Sequence, residues 1–263
     1  MQAADYQAFT DKLTEKLQAN PRVLGLVLVG STANQSHPPD EWSDHDFFVV
    51  TEHGVQDTFR TQFDWLPDHE NIVLTVRETE HGLKILYASG HLLECAIFDL
   101  EEIKLAKVND YLVAFDRGGV REQVEQIAVP NTTPAPSPVT IQRDLGMVPC
   151  LLLVGAGRVK RGEVISGQVF IRNHALGHLL TLLAHHLPAN DKTSLDNLDP
   201  FRRFEQVFPE VGQQINAALS REPLAAALGL LDVYEAHLSE VEGYPAEAVK
   251  AVREFLQRAR TST

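Results

Sequence analysis

The chain reads as an α+β protein, with a mixed β-sheet and helices in its first half and a helical bundle in its second. Three observations lead there. The first half carries apolar, β-branched runs of strand length between polar loops. Residues 129–139 read Val-Pro-Asn-Thr-Thr-Pro-Ala-Pro-Ser-Pro-Val, whose four prolines forbid helix and central strand alike. Beyond them, apolar residues fall at helical spacing. A first domain at 1–128, a linker at 129–139 and a second domain at 140–263 follow from this pattern.

Asp5 to Ala19 places Tyr6, Phe9, Leu13 and Leu17 at helical spacing, and the Asn20-Pro21 pair stops the helix. Val23 to Val29 is a continuous apolar run ending at Gly30, the pattern of a strand covered on both faces. A polar loop leads to a second strand, His45 to Thr51. Val55 to Trp65 is expected to be a helix, and Asn71 to Arg77, Leu83 to Ala88, Leu92 to Phe98 and Tyr111 to Phe115 are expected to be extended. After the linker, helices are predicted over Ile141 to Lys160, Glu163 to His186, Pro200 to Val207, Val211 to Leu219, Pro223 to Leu238 and Pro245 to Arg260. Pro223 and Pro245 fall where first-turn prolines are welcome.

Of 263 residues, 44% are hydrophobic and 22% charged, which excludes disorder and low-complexity classes. The longest mostly apolar run, Leu145 to Gly157, is shorter than the roughly 20 residues of a bilayer crossing. Residues 1–20 carry acids and no apolar signal core, so a cytoplasmic location and no membrane partner are expected. Cys95 and Cys150 show no paired spacing and read as buried, reduced thiols. Residues 1–120 hold 20 acids and 9 bases, whereas residues 121–263 hold 16 acids and 14 bases. That balance disfavours nucleic acid as a partner and favours cations, with an acidic surface that serves only solubility as the alternative.

The chemistry concentrates around Gly30-Ser31 and Ser43-Asp44-His45-Asp46. Asp44 and Asp46 are two apart, so on an extended segment both point to one side. Two carboxylates on one face repel unless a cation joins them, and hard Mg²⁺ is held by such a pair together with substrate phosphates. A solvated acidic turn is the alternative. Gly30 lets backbone approach a phosphate closely, and the Ser31 hydroxyl with nearby N–H groups can bind phosphate oxygens. In the second half, Arg158-Val159-Lys160-Arg161-Gly162-Glu163 is the densest basic cluster. Arg158, Lys160 and Arg161 are candidates to contact a polyphosphate, with a solvated face as the alternative. Glu163 is either a general base or a helix cap. His174, His178, His185 and His186 recur near helical spacing, but no acid joins them in register, so they read as structural or surface histidines. Gly155-Ala156-Gly157 reads as small residues easing helix contacts.

A Gly-Ser at a strand end followed by Asp-x-Asp on the next strand resembles the nucleotidyltransferase superfamily related to DNA polymerase beta. The segment Gly30-Ser31-Thr32-Ala33 through Asp40-Glu41-Trp42-Ser43-Asp44-His45-Asp46 is most similar to its aminoglycoside and lincosamide nucleotidyltransferase branch. The resemblance covers about residues 20–100, and the later helices in outline. It implies a third metal-binding carboxylate on a neighbouring strand, for which Glu94 is the candidate. Glu94 is the one acid inside an apolar strand, where a lone buried glutamate is costly unless paired or metal-bound. The activity implied is Mg²⁺-dependent transfer of a nucleoside monophosphate, AMP from ATP, to a hydroxyl of a small acceptor, with two ions held by Asp44, Asp46 and Glu94. Nucleotidylation of a protein or RNA end, and nucleotide binding without turnover, are the alternatives.

Overall fold

The computed structural model describes residues 3–33, 38–129, 137–189, 192 and 194–261, with no account of the side chains of residues 3 and 4. Two compact units divide the chain, Met1–Pro130 and Asn131–Thr263. Most of the proline segment, residues 130–136, lies outside the described residues.

The first unit is a six-stranded mixed sheet with helices. Its elements are α1 (Ala3–Ala19), β1 (Val23–Val29), β2 (His45–Thr51), α2 (Gln56–Thr61), β3 (Ile72–Arg77), β4 (Gly82–Tyr87), β5 (Leu92–Phe98), β6 (Tyr111–Asp116) and α3 (Val120–Ile127). The strands lie in the order β3-β4-β5-β2-β1-β6. Only β2 and β5 run parallel; the other neighbours are antiparallel. Both faces of the central strands are covered, as the continuous apolar runs require. Leu26, Leu28, Phe47 and Val49 pack with Phe9, Leu13 and Leu17 of α1, while Val27, Val50 and Val113 pack with Val120 and Val124 of α3. Each such large side chain contributes about 1.5–3 kcal/mol by leaving water. Gly25 is needed in β1 because a Cβ there would stand 2.8 Å from the Phe115 carbonyl oxygen and 2.9 Å from Val120.

The helix expected over Val55 to Trp65 is one short helix, α2, and Trp65 folds back so that its Nε1 donates to the Phe59 carbonyl at 3.1 Å. Helix α3 was not expected. Asp116 starts it by accepting hydrogen bonds from four successive backbone N–H groups, those of Gly118, Gly119, Val120 and Arg121.

The second unit is helical: α4 (Pro138–Lys160), α5 (Val164–Val169), α6 (Leu176–His186), α7 (Phe204–Val207), α8 (Pro209–Leu219), α9 (Pro223–Leu238) and α10 (Ala246–Thr261). Helix α4 begins inside the segment expected to be linker, because Ser137 caps it and Pro138 suits its first turn. With 23 residues, α4 is long and apolar enough to cross a bilayer by length and composition. One side of it forms the centre of the bundle instead, with Leu145, Val148, Leu152 and Ala156 fully buried. The helix expected over Glu163 to His186 contains a wider π turn at Phe170–Ala175 between α5 and α6. Gly155 and Gly167 let α4 and α5 touch, since a Cβ on Gly167 would stand 2.7 Å from the Gly155 oxygen. The helix expected from Pro200 shrinks to α7, as Arg203 adopts a left-handed backbone (φ 62°) just before it. Cys95 is buried as expected, and burial pushes its thiol pKa up. Cys150 is exposed, contrary to expectation, because it sits on the outer side of α4.

Candidate active site

The sheet's hydrogen-bond register builds the site. Asp46 on β2 is paired across the parallel ladder with Glu94 on β5, and Glu94 is paired with Lys84 on β4. Residues facing each other in register emerge on the same side of a sheet. Asp44 precedes β2 by one residue. Carboxylate oxygens of Asp44, Asp46 and Glu94 lie within 4.8 Å of one another, and all three residues are half-buried.

Beside them, β1 ends at Gly30 and the chain enters a single 3₁₀ turn, Gly30–Ala33. Gly30 has φ 55°, and a Cβ there would lie 3.3 Å from Asp46 Oδ2. A glycine is required both for the left-handed backbone and for the close approach to the carboxylate. Ser31 follows on this turn, partly exposed.

A relay of hydrogen bonds fixes the turn against the strand. The Asp46 N–H donates to Thr32 Oγ1 at 2.9 Å, Thr32 Oγ1 and the Tyr6 hydroxyl are 2.7 Å apart, and the Tyr6 hydroxyl donates to the Asp44 carbonyl at 2.6 Å. Since the Tyr6 proton goes to Asp44, Thr32 is the donor to Tyr6, and each bond polarises the next. Burial, more than any neighbouring charge, pushes the Tyr6 pKa up, so the hydroxyl keeps its proton. His45, between the two aspartates, points to the opposite side and is fully buried. It stacks on Tyr6 with centroids 3.6 Å apart, and its Nδ1 meets His91 Nε2 at 2.7 Å. Burial drives the pKa of His45 down to about 3 and that of His91 down to about 4, so both are neutral.

Glu94 departs from expectation. It is not a lone buried acid: its side chain is 38% exposed and accepts a hydrogen bond from Lys84 Nζ. Lys84 also lies 3.6 Å from Glu78, and the Glu94 hydrogen bond holds its pKa above the usual lysine range. Nothing within β4 alone singles Lys84 out. Only strand register reveals it.

Arg158, Lys160, Arg161 and Glu163 belong to the helical unit, where their spacing has a local cause. Gly162 takes φ 83°, its N–H bonds the Val159 carbonyl, and the Glu163 N–H bonds the Arg158 carbonyl. This paired pattern is the Schellman stop of α4. The Glu163 side chain does not cap α5, contrary to the alternative expected of it, and accepts instead from Arg161 Nε at 3.0 Å. Arg158 donates to Ser166 and lies 4.1 Å above the Phe170 ring.

The donor set suits a hard divalent cation. It offers three carboxylates close together, one of which, Glu94, is hydrogen-bonded to Lys84. Oxygens about 2.1 Å from a Mg²⁺ are at most about 4.2 Å apart, so only a small closure of the triad is needed.

No family model and no curated sequence matches this chain. Among solved structures, it aligns over 98% of its length with 99% of an aminoglycoside 6-adenyltransferase from Bacillus subtilis, at 11% identity and a TM-score of 0.41. It also aligns over 94% of its length with 79% of a nucleotidyltransferase-like protein from Exiguobacterium sibiricum, at 13% identity and a TM-score of 0.29.

Proposed function

We propose that the protein is a metal-dependent nucleotidyltransferase that moves a nucleoside monophosphate, AMP from ATP, to a hydroxyl of a small acceptor. One observation carries the reading: three carboxylates from β2 and β5 converge beside a glycine-serine turn that ends β1. A solvated acidic turn needs neither the third carboxylate from another strand nor a glycine pressed against Asp46.

Asp44, Asp46 and Glu94 would hold Mg²⁺, one ion or two. Bound there, Mg²⁺ neutralises triphosphate charge and favours departure of pyrophosphate. The Ser31 hydroxyl and N–H groups of the turn beyond Gly30 bind phosphate oxygens, and Gly30, whose own N–H is held by the Asp110 carbonyl at 3.0 Å, leaves room for them. Thr32, Tyr6 and the neutral His45–His91 pair keep the turn and the aspartates in place. In this reading Lys160 and Arg161 neutralise the polyphosphate, and Glu163 takes the proton of the attacking hydroxyl. Arg158, engaged by Ser166 and Phe170, supports that segment. The resemblance carried by residues 30–46 points to an aminoglycoside or a lincosamide-like molecule as acceptor, and an acidic first half suits a cationic one.

Pyrophosphate release is the direct assay, with ATP and Mg²⁺ across hydroxylated acceptors including streptomycin, kanamycin and lincomycin. Release that requires one acceptor supports the reading. ATP binding without release for any acceptor would instead make the chain a nucleotide-binding protein.

A further inference from the structure

Strand register lines up four residues on one side of the sheet: Asp46 on β2, Glu94 on β5, Lys84 on β4 and Val76 on the edge strand β3. Two of them are carboxylates of the triad, and the third places an ammonium against it. Lys84 Nζ donates to Glu94 Oε1 and lies 3.6 Å from Glu78 Oε2. Glu78 is two residues beyond Val76, so it returns to the same side as Lys84. Its N–H bonds the Gly82 carbonyl at 3.0 Å, which fixes it at the start of the β3–β4 turn. One ammonium therefore has two carboxylate seats, one inside the triad and one outside it.

Stability does not account for the arrangement. The Lys84 side chain is 35% exposed, and an ion pair that open to water contributes little. Its place matters more for what Glu94 can hold. A hard dication sits about 2.1 Å from a carboxylate oxygen, so one on Glu94 Oε1 would lie at most about 5 Å from the ammonium. Even at the screening of bulk water, a double and a single positive charge at that separation repel enough to weaken binding about tenfold or more. Moving Nζ onto Glu78 relieves the repulsion, and the flexible four-carbon stem of a lysine allows the move.

We infer that Lys84 is a competing cation for the metal site: it occupies Glu94 until a divalent ion displaces it onto Glu78, and so lowers the affinity of the triad for the ion alone. The inference rests on the reading of Asp44, Asp46 and Glu94 as metal ligands and adds the residue that sets the strength of that site. Lys84 acts through Glu94, which makes it a positioning residue.

The test is Mn²⁺ binding to the full chain without ATP, read from the electron paramagnetic resonance signal of the free ion; Mn²⁺ takes the same oxygen ligands as Mg²⁺. Lys84→Met, which keeps the length of the side chain and removes its charge, should bind Mn²⁺ about tenfold tighter than the wild type. Lys84→Arg, which keeps the charge, should not. Glu78→Gln should weaken binding about threefold in the wild-type chain, where it removes the second seat, and change it little in Lys84→Met, where no ammonium needs one. Equal affinity of Lys84→Met and wild type, binding by Lys84→Arg as tight as by Lys84→Met, or the same effect of Glu78→Gln in both chains would overturn the inference. Failure of the metal-site reading has a mark of its own: Asp46→Asn would then bind Mn²⁺ as tightly as the wild type.

Discussion

The two units treat their carboxylates in opposite ways. In the sheet unit, Asp44, Asp46 and Glu94 are half-buried and gathered within 4.8 Å, with Lys84 hydrogen-bonded to Glu94. In the helical unit, Asp144 is nearly fully buried and is matched by Arg143 and His178. A carboxylate inside a bundle is tolerated only when its charge is balanced, whereas one at a strand end can stay wet while register holds its position. The sheet site, with three carboxylates gathered at strand ends, suits a hard dication, whereas the Asp144 carboxylate is held by side chains of its own unit.

The largest expected effect tests that contrast. Asp46→Asn should lower turnover by about 10³-fold or more, since a charged ligand is lost without change of size. Its melting temperature should match or exceed that of the wild type, because removing one of several like charges relieves repulsion. Asp144→Asn should lower the melting temperature, by the loss of about 1–2 kcal/mol from a buried charged hydrogen-bond acceptor. Equal thermal behaviour of the two variants would erase the distinction between the sites.

Glu163→Gln should slow the chemical step by about 10²-fold or more while ATP affinity stays near normal. Lys160→Ala should instead raise the ATP dissociation constant about tenfold. Single-turnover rates and ATP titrations separate the two, and an unchanged rate in Glu163→Gln would leave that residue as the Arg161 partner and nothing more.

Acid should weaken the sheet unit through the histidines behind its site. The folded-state pKa values of His45 and His91, about 3 and about 4, lie below that of an unfolded histidine. The unfolded chain therefore takes up protons first as pH falls, and the stability is complete above about pH 6.5 and lost on the way down to about 4. At pH 5.5 each histidine should cost about 1.4 kcal/mol relative to neutral pH. Urea unfolding at the two pH values measures this, and the difference should shrink in His91→Gln.

The smallest effect belongs to Gly30→Ala. A left-handed backbone with a side chain costs about 1–2 kcal/mol, and the new methyl would press on Asp46 at 3.3 Å. A modest fall in melting temperature and weaker ATP binding are expected; an unchanged protein would mean that the turn relaxes freely.

Much of this was legible in the sequence because it rests on local pattern. Val23–Val29, His45–Thr51 and Leu92–Phe98 form strands with the expected bounds, each being a long apolar run with clear punctuation. The paired aspartates could be seen for the same reason. What escaped depends on contacts distant in the chain. Lys84 meets Glu94 only through the β4–β5 register, His45 finds His91 across β2 and β5, and Asp144 finds His178 from another helix. Helix α3 was hidden because its start depends on the Asp116 side chain, while its sequence shows just Val120 and Val124 as fully buried positions. The Arg-Gly-Glu segment has a structural part beyond the solvated face and helix cap weighed from the sequence, since its glycine ends α4.

Isotope placement tests the central claim most directly. The protein, Mg²⁺ and an acceptor found by pyrophosphate release would be incubated with ATP labelled at the α-phosphorus and, separately, at the γ-phosphorus. Transfer of a nucleoside monophosphate predicts that the α label joins the acceptor, that the γ label leaves as pyrophosphate, and that Asp46→Asn abolishes both. Transfer of the γ label to the acceptor, or α-label transfer that persists in Asp46→Asn, would contradict it.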